Sequence, residues 1–252
     1  MNLSEVQDYD DMSRQAAALL SAWATETERP AIVLPTGNTP LGLYRELATK
    51  RFAKVLSRAR PIQLDEYHEI ARDDWRSLGG WLHRDLLAPL GISPEAMLRF
   101  DPSAEDGDRE AARVESAVAS MGIDIAILGL GPNGHIGMNE PGSDFASTTR
   151  LVTLTPETIH SNAVYWGGED KVPHHGLTLG LGTLARARHT MLLVSGAQKA
   201  KILAAVLDGP ISPRIPATYL RTIPGAMVIA DRAALAVTRH HGGFSRHAHG
   251  RS

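Results

Sequence analysis

The stretch Ile123-Asp-Ile-Ala-Ile-Leu-Gly-Leu-Gly-Pro-Asn-Gly-His-Ile-Gly-Met-Asn-Glu-Pro141 joins an apolar run to a glycine-rich loop. The apolar run at 123–130 predicts a buried strand of an α/β sheet. Such sheets bind their ligands in the crevice beyond the carboxyl ends of the strands. We therefore expect His135 and Glu140 to lie at a catalytic site. Glu140 or Asn133 would orient the imidazole ring and fix its tautomer.

Short apolar runs alternate with helical patterns on both sides of this stretch. The alternation predicts an α/β fold with three layers, in which helices cover both faces of a mainly parallel sheet. Strands are expected at 31–34, 61–64, 123–128, 150–154, 175–179, 189–194 and 226–230. Helices are expected at 5–24, 41–50, 77–88, 108–121, 197–207 and 216–221.

Composition narrows the functional class. The chain has 252 residues, 43% of them hydrophobic, and a formal charge of -2, so we expect one domain at 1–238 and no nucleic-acid or membrane partner. It contains no cysteine, which excludes thiolate nucleophiles and cysteine metal sites. The amino terminus lacks the pattern of a signal peptide, so a cytoplasmic location is expected. The glycine- and histidine-rich segment at 239–252 predicts a flexible tail.

A second glycine loop follows the strand expected at 31–34. Thr39 suits the N-cap of the next helix and Pro40 its first position. Free N–H groups at a helix amino terminus bind anions such as a sugar phosphate, whereas a capped turn that binds nothing is an equally good interpretation of this segment alone. The Walker lysine is missing, which excludes a nucleotide P-loop. The candidate anion-binding residues are Thr36, Gly37, Asn38 and Thr39.

Acidic residues follow the strand expected at 61–64. Asp65 and Glu66 can provide a general base or merely cap a turn. Asp65 is the preferred base, because it follows the strand directly and would point into the crevice that holds His135. Glu66 would point to the opposite side of an extended chain.

The segment at 129–134 matches the glycine pattern of dinucleotide-binding loops. That pattern requires a long helix to follow, whereas Gly137 and Pro141 come within two turns. We therefore predict no dinucleotide cofactor.

Five motifs resemble the glucosamine-6-phosphate deaminase/isomerase family, in the family's order and over most of the chain. They are Pro35-Thr-Gly-Asn-Thr-Pro40, Leu64-Asp-Glu-Tyr67, Gly134-His-Ile-Gly-Met-Asn-Glu-Pro141, Val172-Pro173 with Leu177-Thr-Leu-Gly180, and Gly196-Ala-Gln-Lys-Ala200. The resemblance implies a modified Rossmann-like fold that is shared with 6-phosphogluconolactonases. The lactonases usually lack the Asp-Glu-Tyr and Asn-Glu-Pro motifs, so the deaminase side is preferred.

The resemblance implies a metal-free and cofactor-free reaction that converts an amino-sugar 6-phosphate and water into a ketose 6-phosphate and ammonia. In it His135 would open the sugar ring, with Glu140 in support. Asp65 would move a proton from C2 to C1. Lys199 would hold the phosphate together with the loop at 36–39, and we count Glu66 and Gly134 among the candidate substrate-binding residues.

Three departures from the family pattern are visible. Asn133 stands where the glucosamine enzymes generally have an aspartate. The segment at 162–166 lacks the arginine that the family contributes to phosphate binding, and Arg214 is a possible substitute. Val152 stands where allosterically activated members carry a basic residue, so we predict no allosteric hexamer, while a smaller homo-oligomer stays possible.

The departures resemble the galactosamine-6-phosphate branch of the family, so either glucosamine 6-phosphate or galactosamine 6-phosphate is expected as the substrate. Two other functions stay open. One is hydrolysis of a sugar lactone, and the other is sugar-phosphate binding without turnover. Against the second, the roughly thirty residues before the first expected strand are too few for a DNA-reading helix-turn-helix unit.

Overall fold

The central sheet of the protein contains six parallel strands in a computed structural model that describes residues 1–49, 52 and 57–238. Across this sheet the strand order is β1, β9, β8, β5, β2, β3. In chain order the strands are β1 (Asn2–Val6), β2 (Ala31–Leu34), β3 (Arg60–Gln63), β4 (Asp65–Tyr67), β5 (Ile125–Gly129), β6 (Arg150–Thr153), β7 (His175–Thr178), β8 (His189–Val194) and β9 (Met227–Asp231).

Helices cover both faces of the sheet. A π-helical turn, His83–Leu87, continues the third helix. A 3₁₀ turn, Ala197–Lys199, precedes the last one. In chain order the α-helices are α1 (Tyr9–Ala24), α2 (Asn38–Leu47), α3 (Leu78–Leu82), α4 (Gly107–Met121), α5 (Pro156–Trp166), α6 (Leu181–Leu184) and α7 (Ala200–Asp208).

The strands are buried on both faces, and neighbouring residues of one strand enter different cores. Ile32 and Leu34 of β2 pack on one face with apolar residues of α1, α2 and α3. Ala31 and Val33 pack on the other face with apolar residues of α4 and α7. This two-sided burial explains why the parallel strands are continuous apolar runs. It confirms the predicted three-layer α/β fold.

A small antiparallel sheet lies beside the carboxyl edge of the large one, with strand order β4, β7, β6. The strands expected at 150–154 and 175–179 form, but they belong to this sheet and not to the parallel one. Leu64 joins the two sheets, since its N–H donates to the Leu34 carbonyl at 3.2 Å and its carbonyl accepts from Leu179 N–H at 2.9 Å. Asp65, the next residue, therefore stands at the junction.

The start of one predicted helix needs correction, and one helix was missed. The helix expected from residue 5 begins at Tyr9, because Asp8 caps it by accepting from Asp11 N–H at 2.9 Å. Asn2–Val6 instead pairs in parallel with β9. Helix α5 was not predicted, since it buries just Thr158 and Trp166 and so carries no apolar stripe.

Within the described residues, none of the helices is both long and apolar enough to cross a membrane. The tail predicted at 239–252 lies outside the described residues. The single domain expected at 1–238 stays a prediction.

Candidate active site

A cavity of about 600 Å³ opens beyond the carboxyl ends of β2 and β5, next to the junction of the two sheets. Parallel strands deliver the residues that follow them to this edge, which is why segments far apart in the chain meet here. Seven of the predicted site residues line the cavity: Thr36, Gly37, Asn38, Thr39, Asp65, His135 and Lys199.

His135 sits on a turn that closes on itself directly after β5. Gly131 N–H donates to the His135 carbonyl at 3.0 Å. A Cβ at Gly131 would lie 2.1 Å from Cδ2 of the imidazole, so the ring rests flat against a backbone that has no room for a side chain. The absence of a side chain at Gly131 thus leaves room for the imidazole.

Glu140 and Asn133 lie behind the imidazole and do not line the cavity. His135 Nδ1 is 3.5 Å from Glu140 Oε2, which is ion-pair range but longer than a normal hydrogen bond. Asn133 Nδ2 donates to the same oxygen at 2.9 Å, and Asn133 Oδ1 accepts from His135 N–H at 3.1 Å. The two predicted supports of His135 therefore contact it from one side.

A hydroxyl on α5 completes the surroundings of Glu140. Thr158 Oγ1 donates to Glu140 Oε1. Burial raises the pKa of Glu140, but His135, Thr158 and Asn133 together outweigh burial and hold that pKa below its ordinary value. Glu140 is therefore a carboxylate near neutral pH, and it presents a negative charge to Nδ1 of the imidazole.

Asp65 faces the cavity from the first position of β4. It is buried, and its carboxylate accepts no hydrogen bond from the part of the chain that the structure describes. Burial, and then the charge of Glu66, raise the pKa of Asp65 to about 7. A carboxylate whose pKa lies near the operating pH is suited to general base catalysis.

The histidine loop approaches Asp65 through Gly137. This glycine has φ +58°, and a Cβ there would lie 3.0 Å from Thr178 Oγ1 and 3.4 Å from Asp65 Oδ2. Both its left-handed backbone and the lack of space require glycine. The close approach brings Asp65 and His135 into one cavity.

Glu66 points away from the cavity, into the small helix α3. Its carboxylate accepts backbone N–H groups of Tyr67 at 2.9 Å and of Leu78 and Gly79 at 2.8 Å. Gln63 Nε2 donates to it at 2.8 Å. Glu66 thus caps the amino terminus of α3 and does not line the cavity, although we expected it among the substrate-binding residues.

The loop at 36–39 runs into α2, whose N-cap is Gly37 and not the expected Thr39. The first turn of a helix leaves backbone N–H groups free for an anion. Tyr44 supports the loop from the core, because its hydroxyl donates to the Pro35 carbonyl at 2.6 Å. The loop therefore places the amino terminus of α2 at the cavity.

Lys199 lines the same cavity from the turn before α7. Burial lowers its pKa, and among the described residues it forms no ion pair with a carboxylate. Asp231 fixes the preceding turn by accepting from Ser195 Oγ at 2.5 Å and Gly196 N–H at 3.1 Å. A half-buried cation without a protein anion is well suited to bind a ligand anion.

Two other predicted residues lie elsewhere. Arg214 is exposed and does not line the cavity. Gly134 belongs to the histidine loop but does not line the cavity, and its carbonyl accepts from Ala217 N–H at 2.8 Å.

Sequence reasoning missed the outer wall of the cavity. Arg76 and Arg84 contribute cations, while Trp75, Tyr165 and Trp166 form an aromatic rim. These residues sit on α5 and on the segment around α3, whose positions depend on contacts distant in sequence. In the structure this wall is indicated by the exposure of Trp75 (70%) and Tyr165 (57%), because large apolar side chains at a surface often mark a binding site.

An α/β fold with ionisable groups gathered at the carboxyl edge of its sheet is the arrangement of an enzyme. The model of the family described as glucosamine-6-phosphate isomerases/6-phosphogluconolactonase matches residues 7–229, and the chain belongs to this family.

Comparison with individual proteins refines the relationship. A glucosamine-6-phosphate deaminase of Corynebacterium kroppenstedtii is 40% identical over 234 residues, 92% of this chain and 90% of that protein. A solved structure of a monomeric glucosamine-6-phosphate deaminase has a TM-score of 0.87 at 33% identity and covers 94% of this chain and 99% of that one. A 6-phosphogluconolactonase of Trypanosoma cruzi has a TM-score of 0.74 at 20% identity over 94% and 96% of the chains, a likeness of fold alone.

Proposed function

We propose that this chain is a glucosamine-6-phosphate deaminase, which converts glucosamine 6-phosphate and water into fructose 6-phosphate and ammonia. The observation that carries the proposal is Asp65, a buried carboxylate with a pKa of about 7 in the cavity that also holds His135. The deaminases that match at 34–40% identity over nine-tenths of the chain support the same activity and favour the glucosamine epimer.

Ring opening is assigned to His135. The negative charge of Glu140 beside Nδ1 favours the tautomer that carries its proton there, which leaves Nε2 as the proton acceptor. Nε2 takes the proton of the C1 hydroxyl and returns it to the ring oxygen as the bond from C1 to that oxygen breaks. The product is the open-chain amino aldehyde.

Isomerisation is assigned to Asp65. Its carboxylate removes the proton at C2 while the carbonyl oxygen at C1 gains a proton from the ammonium group at C2, which gives an enolamine. Asp65 then delivers its proton to C1 and leaves a protonated imine at C2. Water adds to the imine carbon and ammonia leaves, so the atoms balance as amino aldose plus water to ketose plus ammonia. A base with a pKa near 7 both accepts and returns a proton readily at neutral pH.

The phosphate end is assigned to Lys199 and to the loop at 36–39. Binding an anion there gives Lys199 the counter-charge that the described residues do not supply. Because the phosphate takes no part in the chemistry, these contacts fix the distance of C1 and C2 from His135 and Asp65.

Ammonia release from glucosamine 6-phosphate and from galactosamine 6-phosphate, measured in parallel, tests the proposal. The wild type is compared with Asp65→Asn and with the matched control Asp73→Asn, an exposed carboxylate outside the cavity. Release from glucosamine 6-phosphate that is lost in Asp65→Asn and kept in the control is expected. Preference for the galactosamine epimer would correct the substrate and keep the reaction class.

Two results would replace the proposal with another function. Hydrolysis of 6-phosphogluconolactone without ammonia release would make the chain a lactonase. Saturable binding of a sugar phosphate with no turnover of any of the three would make it a binding module.

We also propose that the chain acts as a cytoplasmic monomer, as the solved deaminase relative is described as monomeric. Three of the five exposed large apolar side chains of the described residues, Trp75, Val164 and Tyr165, belong to the cavity rim. Little exposed apolar surface is then left for a stable subunit interface. Sedimentation equilibrium at micromolar concentration tests this, and a dimer mass would overturn it.

A further inference from the structure

The cavity is lined by more cations than Lys199, the one assigned so far to the phosphate. A phosphate monoester carries about -1.5 to -2 charges at neutral pH, and Lys199 supplies one cation. Arg76 and Arg84 also line the cavity. Their surroundings differ sharply.

Arg76 is already neutralised by the protein. Its Nε and Nη2 donate to the two carboxylate oxygens of Asp74 at 2.9 and 2.6 Å. The guanidinium also lies 4.3 Å above the ring of Trp166. Most of its charge and several of its donors are therefore engaged in joining the segment before α3 to α5.

Arg84 is an exposed residue that is oriented by one hydrogen bond and is not neutralised. Its Nη1 donates to the Trp75 carbonyl at 2.6 Å, and among the described residues it forms no ion pair with a carboxylate. Its Nε and Nη2 groups are therefore left for another acceptor. An arginine that is oriented by one neutral contact and lines a cavity is suited to bind an incoming anion.

Arg84 and the loop at 36–39 line the same cavity. Arg84 belongs to the π-helical turn His83–Leu87, which packs against α2, the helix that starts at this loop. Trp81, just before that turn, makes an edge contact with Tyr44 at 6.1 Å between ring centroids, and Tyr44 holds Pro35. Single π turns within helices are often found at functional sites.

We propose that Arg84 is the second cation of the phosphate site and, with Lys199, binds the phosphate group of the substrate. The sequence suggested Arg214 for this role, but Arg214 does not line the cavity. The inference rests on the proposed function for the identity of the substrate, but the anion site can be tested without turnover.

The test combines steady-state kinetics with glucosamine 6-phosphate and calorimetric titration with inorganic phosphate. The variants are Arg84→Gln, the charge-conserving Arg84→Lys, Arg214→Gln, and Arg45→Gln as a matched control, since Arg45 is exposed on α2 outside the cavity. We expect Arg84→Gln to raise KM and the Kd for phosphate about tenfold or more, with kcat within threefold of the wild type. Arg84→Lys should recover part of the loss, and the other two variants should match the wild type.

The outcomes separate this inference from the proposed function. Equal KM and Kd values for Arg84→Gln and Arg45→Gln would overturn the role of Arg84, whatever the activity of the wild type. A rise in both values for Arg214→Gln instead would return the role to Arg214. If the wild type releases no ammonia, loss of phosphate binding in Arg84→Gln still supports the second cation, while the deaminase proposal fails.

Discussion

The two faces of strand β4 carry neighbouring carboxylates with opposite surroundings. On one face Glu66 accepts four hydrogen bonds and anchors α3. On the other face Asp65 accepts none from the described residues and faces the cavity. Both side chains are buried, so their surroundings differ in hydrogen bonding and not in exposure to solvent.

The hydrogen bonds give Glu66 a structural role, whereas Asp65 is free to act as a base. The N–H groups around Glu66 compensate in part for the burial that raises its pKa. Asp65 lacks that compensation, and its pKa reaches about 7. A buried carboxylate without hydrogen-bond donors costs stability, and in return it can bind and release a proton at neutral pH.

Replacing Asp65 with Asn should have the largest effect, because it removes the proton acceptor and leaves the shape unchanged. We expect kcat for ammonia release to fall about a thousandfold, within the range for loss of a general base. Steady-state assays at pH 7.5 against Asp73→Asn measure this. A loss below tenfold would move the base to another residue.

The same variant should be more stable than the wild type at high pH. An unfolded Asp65 ionises near 3.8, whereas the folded protein retains the proton up to about pH 7. Asp65 therefore favours the fold below pH 4, and this contribution is lost as pH rises from 4 to 7. At pH 8 we expect Asp65→Asn to gain roughly 1–3 kcal/mol in the free energy of unfolding. Urea titrations at pH 4 and pH 8 measure the difference, which should vanish at pH 4.

The pH dependence of the wild type should show the next largest effect. Since Asp65 must be ionised to act, kcat/KM should fall about tenfold for each pH unit below 7, and so roughly a hundredfold at pH 5. A rate profile from pH 4.5 to 8 measures this. An acid limb centred near pH 4 would mean that Asp65 is solvated and would remove the contrast with Glu66.

Replacing Glu66 with Gln should affect the fold more than the chemistry. The amide NH₂ would face a backbone N–H and leave it without an acceptor, which costs about 2 kcal/mol. We expect a lower urea midpoint than for Glu105→Gln, an exposed carboxylate that serves as the matched control. Loss of kcat with unchanged stability would instead assign Glu66 to the substrate, as the sequence analysis allowed.

The smallest effect is expected for Thr158→Val. It removes one donor from Glu140, so the pKa of Glu140 should rise and its support of His135 should weaken. We expect kcat to fall about threefold to tenfold, in proportion to one hydrogen bond of roughly 1 kcal/mol. Thr158→Ser keeps the hydroxyl and should retain the wild-type rate. Equal losses in both variants would mean that the methyl group matters, not the hydrogen bond.

The inner part of the site was predictable from the sequence. His135, Asp65 and the loop at 36–39 each directly follow an apolar run, and the geometry of parallel sheets brings such residues together. The preference for Asp65 over Glu66 followed from the alternation of side chains along an extended chain, and the structure places the two on opposite faces as expected.

The outer wall was not predictable, because its position depends on tertiary contacts. Arg76 reaches the cavity through its contact with Trp166, ninety residues further along the chain. Helix α5 buries too few residues to give a periodic pattern. The separate antiparallel sheet that contains β6 and β7 was not predicted, since a short apolar run does not indicate the direction of its partner strand.

The pairing of β1 with β9 affects how the protein folds during its synthesis. Asn2–Val6 completes the edge of the sheet by bonding to Met227–Asp231. On the ribosome β1 cannot pair with β9 until the long intervening segment and β9 itself have been synthesised. Such a late contact between distant segments slows folding, and until then the polar edge of β1 is free to pair with other strands.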